Sequence, residues 1–117
     1  MKMGNRMNDP PAWPADLTAY KRTQEFSETT VPAALLRDHA TKDGVWARLH
    51  VLDGRLRFVD QEGAGELILG PGVHDVIFPG RLHHVAPVGQ VRFFVEFCRL
   101  PEEVAGDPDA GPAFPHR

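Results

Sequence analysis

Along residues 45–52 the chain alternates: Val45, Ala47, Leu49 and Val51 share one face, while Trp46, Arg48, His50 and Leu52 share the other. Period-two alternation marks a strand with one face against a core. Arg55-Leu56-Arg57-Phe58-Val59 alternates again. Asp53-Gly54 between the two runs predicts a β-hairpin turn, because glycine supplies the positive φ that tight hairpin turns need. Arginines on the solvent side of such a hairpin would also guard an edge against pairing with another chain.

The same pattern predicts further short strands at Leu17 to Phe26, Glu66 to Leu69, His74 to Phe78 and His83 to Pro87, and a longest one at Val91 to Leu100. Asp43-Gly44, Gly70-Pro71-Gly72, Pro79-Gly80 and Gly89 punctuate them, and Asp60 to Gly65 reads as a polar loop. Seven or eight short strands, no helical period and no internal repeat predict an all-β sandwich or barrel. The strands fall in one domain over residues 17–101. Before it, residues 1–16 carry Pro10-Pro11 and Trp13-Pro14 and read as an extended arm, with Trp13 placed to pin it to the body. After it, residues 102–117 are rich in Pro, Gly and Asp and read as a flexible tail.

Composition narrows the function classes. A chain of 117 residues with 42% apolar content supports one modest core. A formal charge of −3 and a pI near 6.0 leave no basic footprint for nucleic acid. No run approaches the roughly 18 apolar residues of a membrane span, and residues 1–8 lack the apolar segment of a secretory leader. A single cysteine, Cys98, excludes an internal disulfide and a cysteine-rich zinc ribbon. The expectation is a soluble cytoplasmic protein.

The candidate chemistry gathers around Phe78-Pro79-Gly80-Arg81-Leu82-His83-His84-Val85. Adjacent histidines in a strand face opposite ways, so only one joins a given site. His84 is the choice by parity, since Leu82 and Ala86 point with it. His39 stands before the Asp43-Gly44 turn, at the mouth of the predicted hairpin. On the last strand Phe94, Glu96 and Cys98 point one way, and Val91, Phe93, Val95 and Phe97 the other. A carboxylate in so apolar a strand needs a cation, a metal or a hydrogen bond; the plainer alternative is an ion pair with Arg92 or Arg48. His39, His84 and Glu96 thus form a candidate metal or ligand site, two imidazoles and a carboxylate suiting several transition metals. Lys42, Trp46, Arg48 and Cys98 are candidate pocket-lining residues, packing being the commoner fate of a single buried Cys. No Gly-x-Ser-x-Gly elbow, phosphate loop or His-Glu-x-x-His is present.

The order of residues in His39-x-Thr41-Lys42-x-Gly44-Val45-Trp46-x-x-Leu49-x-Val51-Leu52-x-Gly54-x-Leu56-x-Phe58 resembles the TehB/YeaR-like family. This is the small cupin-type domain also found at the start of some tellurite-resistance methyltransferases. The block Phe78 to Val85 and the run Val95-Glu96-Phe97-Cys98 are similar to its second half, and the likeness spans about residues 17–101. It implies a cupin-like double-stranded β-helix (a jelly-roll barrel), a metal-capable pocket at one end, and a stand-alone copy with no methyltransferase following. By position it implies His39, His84 and Glu96 as ligands of one divalent transition metal, zinc first and iron or nickel as alternatives. The first cupin motif usually holds two histidines and a glutamate, whereas residues 41–50 here offer Lys42, Trp46, Arg48 and His50. A three-ligand site with positions open to water or a small ligand is therefore expected, with Lys42 and Trp46 at its mouth.

Three functions follow from these readings. The first is a metal- and small-molecule-binding protein in tellurite or oxyanion stress. The second is a metal-dependent oxygenase or isomerase of cupin type. The third is a metal-free module holding a small apolar or anionic ligand with Lys42, Trp46 and Arg48. The expected partners are a small molecule or oxyanion, with neither nucleic acid nor membrane, and a second copy of the chain joined by strand pairing through the arm.

Overall fold

The structure, a computed structural model, describes residues 13–63 and 65–101. It holds six strands, β1 (Thr18–Arg22), β2 (Phe26–Ser27), β3 (Trp46–Asp60), β4 (Gly65–Leu69), β5 (Gly72–Ile77) and β6 (His83–Arg99), with a 3-10 turn at Ala33–Leu36. All pairings between strands are antiparallel. The all-β expectation holds, in the form of one six-stranded antiparallel sheet ordered β1-β6-β3-β4, with β2 also on β6 and β5 also on β3. Among the described residues no helix is long and apolar enough to cross a membrane. The expected arm and tail fall mostly outside the described residues.

Two long strands organise everything else. β3 and β6 pair from Trp46↔Cys98 to Asp60↔His83. The first half of β3 is flanked on its other side by β5 and the second half by β4. This corrects the hairpin expected at Asp53-Gly54, because the chain runs straight through it. Gly54 has φ +81° and sits where the β3–β6 register shifts, at Val51/Asp53 and Gly54/Arg55. Glycine at positive φ marks a β-bulge as well as a hairpin turn, and local sequence does not separate the two. Gly89, with φ +70°, is the corresponding break in β6, so the two strands expected at residues 83–87 and 91–100 are one.

Beside the break the Val91 amide donates to Oε1 of Glu28 at 3.0 Å, and that bond holds the Glu28 carboxyl below its ordinary pKa. Farther along β6, between β1 and β2, Thr23 takes up Val95: Thr23 N donates to Val95 O at 2.9 Å and Val95 N to Thr23 Oγ1 at 3.0 Å.

One face of this bent pair carries the core. Val45, Ala47, Leu49, Val51, Leu56 and Phe58 meet Val85, Val91, Phe93, Val95 and Phe97, with Leu35, Leu69, Ile77 and Phe26 closing around them. The groupings of residues 45–51 and 91–97 are those read from the sequence, whereas in residues 82–86 it is His83 and Val85 that turn inward; burial of apolar area on this face is the main stabilising term.

Gly54 can be tested directly. A Cβ there would run into the Gln90 carbonyl oxygen, on top of the strain of positive φ. Gly54→Ala is expected to cost at least about 2 kcal/mol in urea denaturation. Gly70→Ala, where a Cβ meets nothing within 4 Å, is expected to change stability by less than about 0.5 kcal/mol. Equal midpoints for the two variants would contradict the bulge as a structural requirement.

Candidate functional site

The chain before β3 comes alongside β6 at one point. His39 N donates to His83 O and His83 N to His39 O, both at 2.9 Å, forming an isolated antiparallel bridge. Residues that exchange both backbone bonds across antiparallel segments project their side chains to the same face. The two imidazoles accordingly lie together, centroids 4.4 Å apart and planes at 65°. The face is the inner one: His83 is 2% exposed and Phe58 lies 5.5 Å from its ring.

Hydrogen bonding sets the tautomers. Nδ1 of His39 donates to Arg37 O and Nδ1 of His83 to Arg81 O, each at 2.9 Å. A carbonyl only accepts, so both Nδ1 atoms carry the proton and a neutral ring has its lone pair on Nε2. Burial holds both rings neutral. It pushes the His83 pKa down to about 4, helped by the neighbouring His39, and lowers that of His39 as well. The rings line a small cavity with Leu35, Thr41, Leu49, Ile77 and Phe97 among its walls. The centre of a water-sized sphere has about 20 Å³ there, room for one water or one ion. Thr41 Oγ1 donates to Val45 O at 2.7 Å, which fixes the turn leading into β3.

The expected trio of His39, His84 and Glu96 is not brought together, and sheet parity is the reason. His83, not His84, shares the inward face with Val85; His84 points outward, where its Nδ1 donates to Asp38 Oδ1 at 2.7 Å. Gln61 Nε2 also reaches Asp38, at 3.2 and 3.3 Å, and these two partners, His84 first, hold the Asp38 carboxyl below its ordinary pKa. The signal that would have selected His83 is the apolar Val85 two residues on, in place of Leu82 and Ala86.

Glu96 lies on the outer face of the sheet, in the ion-pair alternative weighed from the sequence. His50 Nε2 donates to its Oε1 at 3.0 Å, and Arg48, directly across from it on β3, approaches Oε1 at 3.5 Å. Arg48 Nε donates to Asp75 Oδ1 at 2.9 Å. His50 stacks on Phe94 at 4.3 Å, with the Arg22 guanidinium on the same ring.

The pocket-lining candidates divide in the same way. Trp46 and Arg48 belong to the outer face, where Trp13 packs edge-on against Trp46 and Phe78 at 5.2 and 5.6 Å and so attaches the chain ahead of β1. Lys42 is exposed in the turn before β3. Cys98 is fully buried behind that outer cluster, and burial raises its thiol pKa against the pull of Arg48, so it packs rather than reacts. His50, on the face opposite Val45, Ala47, Leu49 and Val51, lies outside as the partner of Glu96.

A metal is implied by the resemblance, and the donors present were weighed against it. Among the described residues no three or more His, Cys, Asp or Glu side chains gather to hold one. The His39–His83 pair nonetheless has the donor chemistry of ligating imidazoles, whose second nitrogen is characteristically fixed by a carbonyl or carboxylate. It supplies two donors, one fewer than the three protein ligands usual at an open zinc site.

Comparison with known proteins places this geometry. Residues 21–95 match a family model described as TehB-like domain. TehB from Haemophilus influenzae superposes with a TM-score of 0.71 at 23% identity, over 86% of this chain and 37% of that one. A protein of Escherichia coli strain K12, solved as a structural genomics target, superposes with a TM-score of 0.68 at 20% identity, over 79% of this chain and 99% of that one. The chain thus spans little more than a third of TehB, and at these identities the likeness is one of fold. No match is found among curated proteins.

Proposed function

This chain belongs to the TehB-like family, and from that premise we propose that it is a metal-dependent small-molecule-binding domain whose metal sits in the inner cavity on His83 and His39. The observation that carries the reading is the pair of carbonyl-fixed, neutral imidazoles side by side across the bridge. Nitrogen lone pairs suit zinc first, with iron and nickel as alternatives. The metal would supply Lewis acidity and positions open to ligand; the chain contributes orientation of both rings through Arg37 O and Arg81 O, and an apolar wall that excludes bulk water. Among the described residues no Lys or Arg lines the cavity, so an oxyanion of the kind tellurite resistance suggests meets no cationic side chain of theirs there. The broken register of the β3–β6 pair, which supplies much of the cavity wall, supports reading the domain as a cupin-type barrel.

Zinc titration by calorimetry, with elemental analysis of the dialysed protein, tests the assignment. Wild type is expected to bind one zinc per chain. His83→Ala and His39→Ala should each weaken binding by roughly tenfold or more, by analogy with the sensitivity of ligand shells to loss of one supporting group. His84→Ala and Glu96→Gln should bind as wild type does. Loss of binding in Glu96→Gln but not in His83→Ala would move the site to the outer face, and no zinc in the wild type would overturn the metal assignment.

A further inference from the structure

A second, larger cavity has Phe58, whose ring lies 5.5 Å from that of His83, as one of its walls. Its centre-accessible volume is about 190 Å³, and its walls are Phe58, Leu67, Val76 and Phe78 with Asp60, Asp75 and Arg81. The charged wall is built rather than incidental. Arg81 Nη2 donates to Asp60 Oδ2 at 2.7 Å, their side chains being 17% and 7% exposed. Asp60 Oδ1 takes the Glu62 amide at 2.9 Å, Glu62 Oε2 takes the Leu82 amide at 3.1 Å, and Gln61 N donates to Leu82 O at 2.9 Å. The loop after β3 is thereby bonded to the turn before β6. Gly63 closes so tightly that a Cβ would collide with Arg81 Nη2 and Asp60 Oδ2.

Within this frame the guanidinium has donors to spare. It carries five N–H groups. Asp60 takes one, the Phe78 ring lies 5.1 Å from Cζ, and Nε is buried with no acceptor among the described residues. Nε is too enclosed to reach the chamber, but Arg81 lines it, and the amino N–H groups that Asp60 leaves unused on this fixed cation can meet an acceptor placed among Phe58, Leu67, Val76 and Phe78. Charge decides which kind. The wall holds two carboxylates and one guanidinium, and the guanidinium is already paired with Asp60; Asp75 draws its counter-charge from Arg48 outside the chamber. An anionic ligand would meet Asp60 and Asp75 at close quarters.

We propose that this chamber is a binding site, separate from the imidazole cavity, for a small uncharged organic molecule: an apolar body against Phe58, Leu67, Val76 and Phe78, and one carbonyl-type oxygen accepting from Arg81. The site is independent of the metal reading, because the two cavities have no lining residue in common among the described residues.

The test is a nitrogen-15 NMR titration of the full chain with three probes of similar shape: acetophenone, isopropenylbenzene (a methylene in place of the carbonyl oxygen) and benzoate. Acetophenone is expected to shift the amides of Leu67, Val76 and Phe78 and the Arg81 Nε–H, and to bind about tenfold more tightly than isopropenylbenzene, the effect of one hydrogen bond to a charged donor. Benzoate should bind more weakly than acetophenone. Leu67→Trp and, independently, Val76→Phe fill the chamber and should abolish all three interactions while the spectrum stays folded. Equal affinity for acetophenone and the hydrocarbon would overturn the role of Arg81, tighter binding of benzoate would overturn the uncharged class, and shifts confined to other residues or absent would overturn the site.

Discussion

Phe93→Ala is expected to lower the free energy of unfolding by about 3–5 kcal/mol, the range for truncating a fully buried aromatic residue. For a domain of this size, whose total stability is on the order of 5–15 kcal/mol, that brings the protein near the edge of folding. Phe93 has no exposed surface. It pairs with Val51 on β3 and with Phe26 on β2, and its ring meets that of Phe26 edge-on at 5.7 Å. It therefore ties the short β2 to the centre of the sheet, and alanine would leave a void that three strands cannot all move to fill. Its neighbour Arg92 is the control. Its ion pair with Glu25 at 3.1 Å has both side chains about half exposed, so Arg92→Ala should cost no more than about 1 kcal/mol. Urea midpoints of the two variants decide the matter; a loss in Phe93→Ala as small as in Arg92→Ala would mean that this core is loosely packed.

The second large effect is a dependence of stability on pH that comes from His83. An unfolded histidine titrates near 6.5, whereas in the folded protein burial has pushed His83 down to about 4. Between those values the unfolded chain binds more protons than the native one, so stability is full above pH 6.5 and is lost as pH falls toward 4. At about 1.4 kcal/mol per pH unit of separation the loss from this group reaches about 3 kcal/mol by pH 4. His39, lowered for the same reason, adds in the same direction. The depressed carboxyls of Asp38 and Glu28 add in the same direction at the acid end of the window, below about pH 5, so the slope above that belongs to the imidazoles. Urea denaturation from pH 4 to 7 should show this slope in wild type and a shallower one in His83→Phe, which keeps an aromatic ring at the bridge but does not titrate. Parallel curves for the two proteins would mean that His83 is not held neutral by its surroundings.

Much of this architecture is legible in the chain alone, and the places where it is not have a common cause. Alternation from Val45 to Val51 and from Val91 to Phe97 assigns the buried face correctly, because a strand's two faces are written in every second residue. Asp53-Gly54 shows the limit of that local code. A glycine with φ +81° serves a turn or a bulge equally well, and only the partner strand, continuous from His83 to Arg99, makes it a bulge. Glu96 shows a second limit. Its need for a partner follows from its apolar neighbours, but whether that partner is a metal or Arg48 and His50 depends on which side of β6 faces inward.

The sequence by itself determined the all-β class, the family, the inward parity of residues 45–51, and the histidines and carboxylates from which any site must be chosen. Tertiary structure alone decided the choice among them. The bridge between His39 and His83 joins residues 44 positions apart through two backbone hydrogen bonds, and Arg81 meets Asp60 only because the loop after β3 folds over the turn before β6. Side-chain parity is a property of a single strand, whereas juxtaposition depends on register between segments distant in the chain, and that register is set by packing of the whole core.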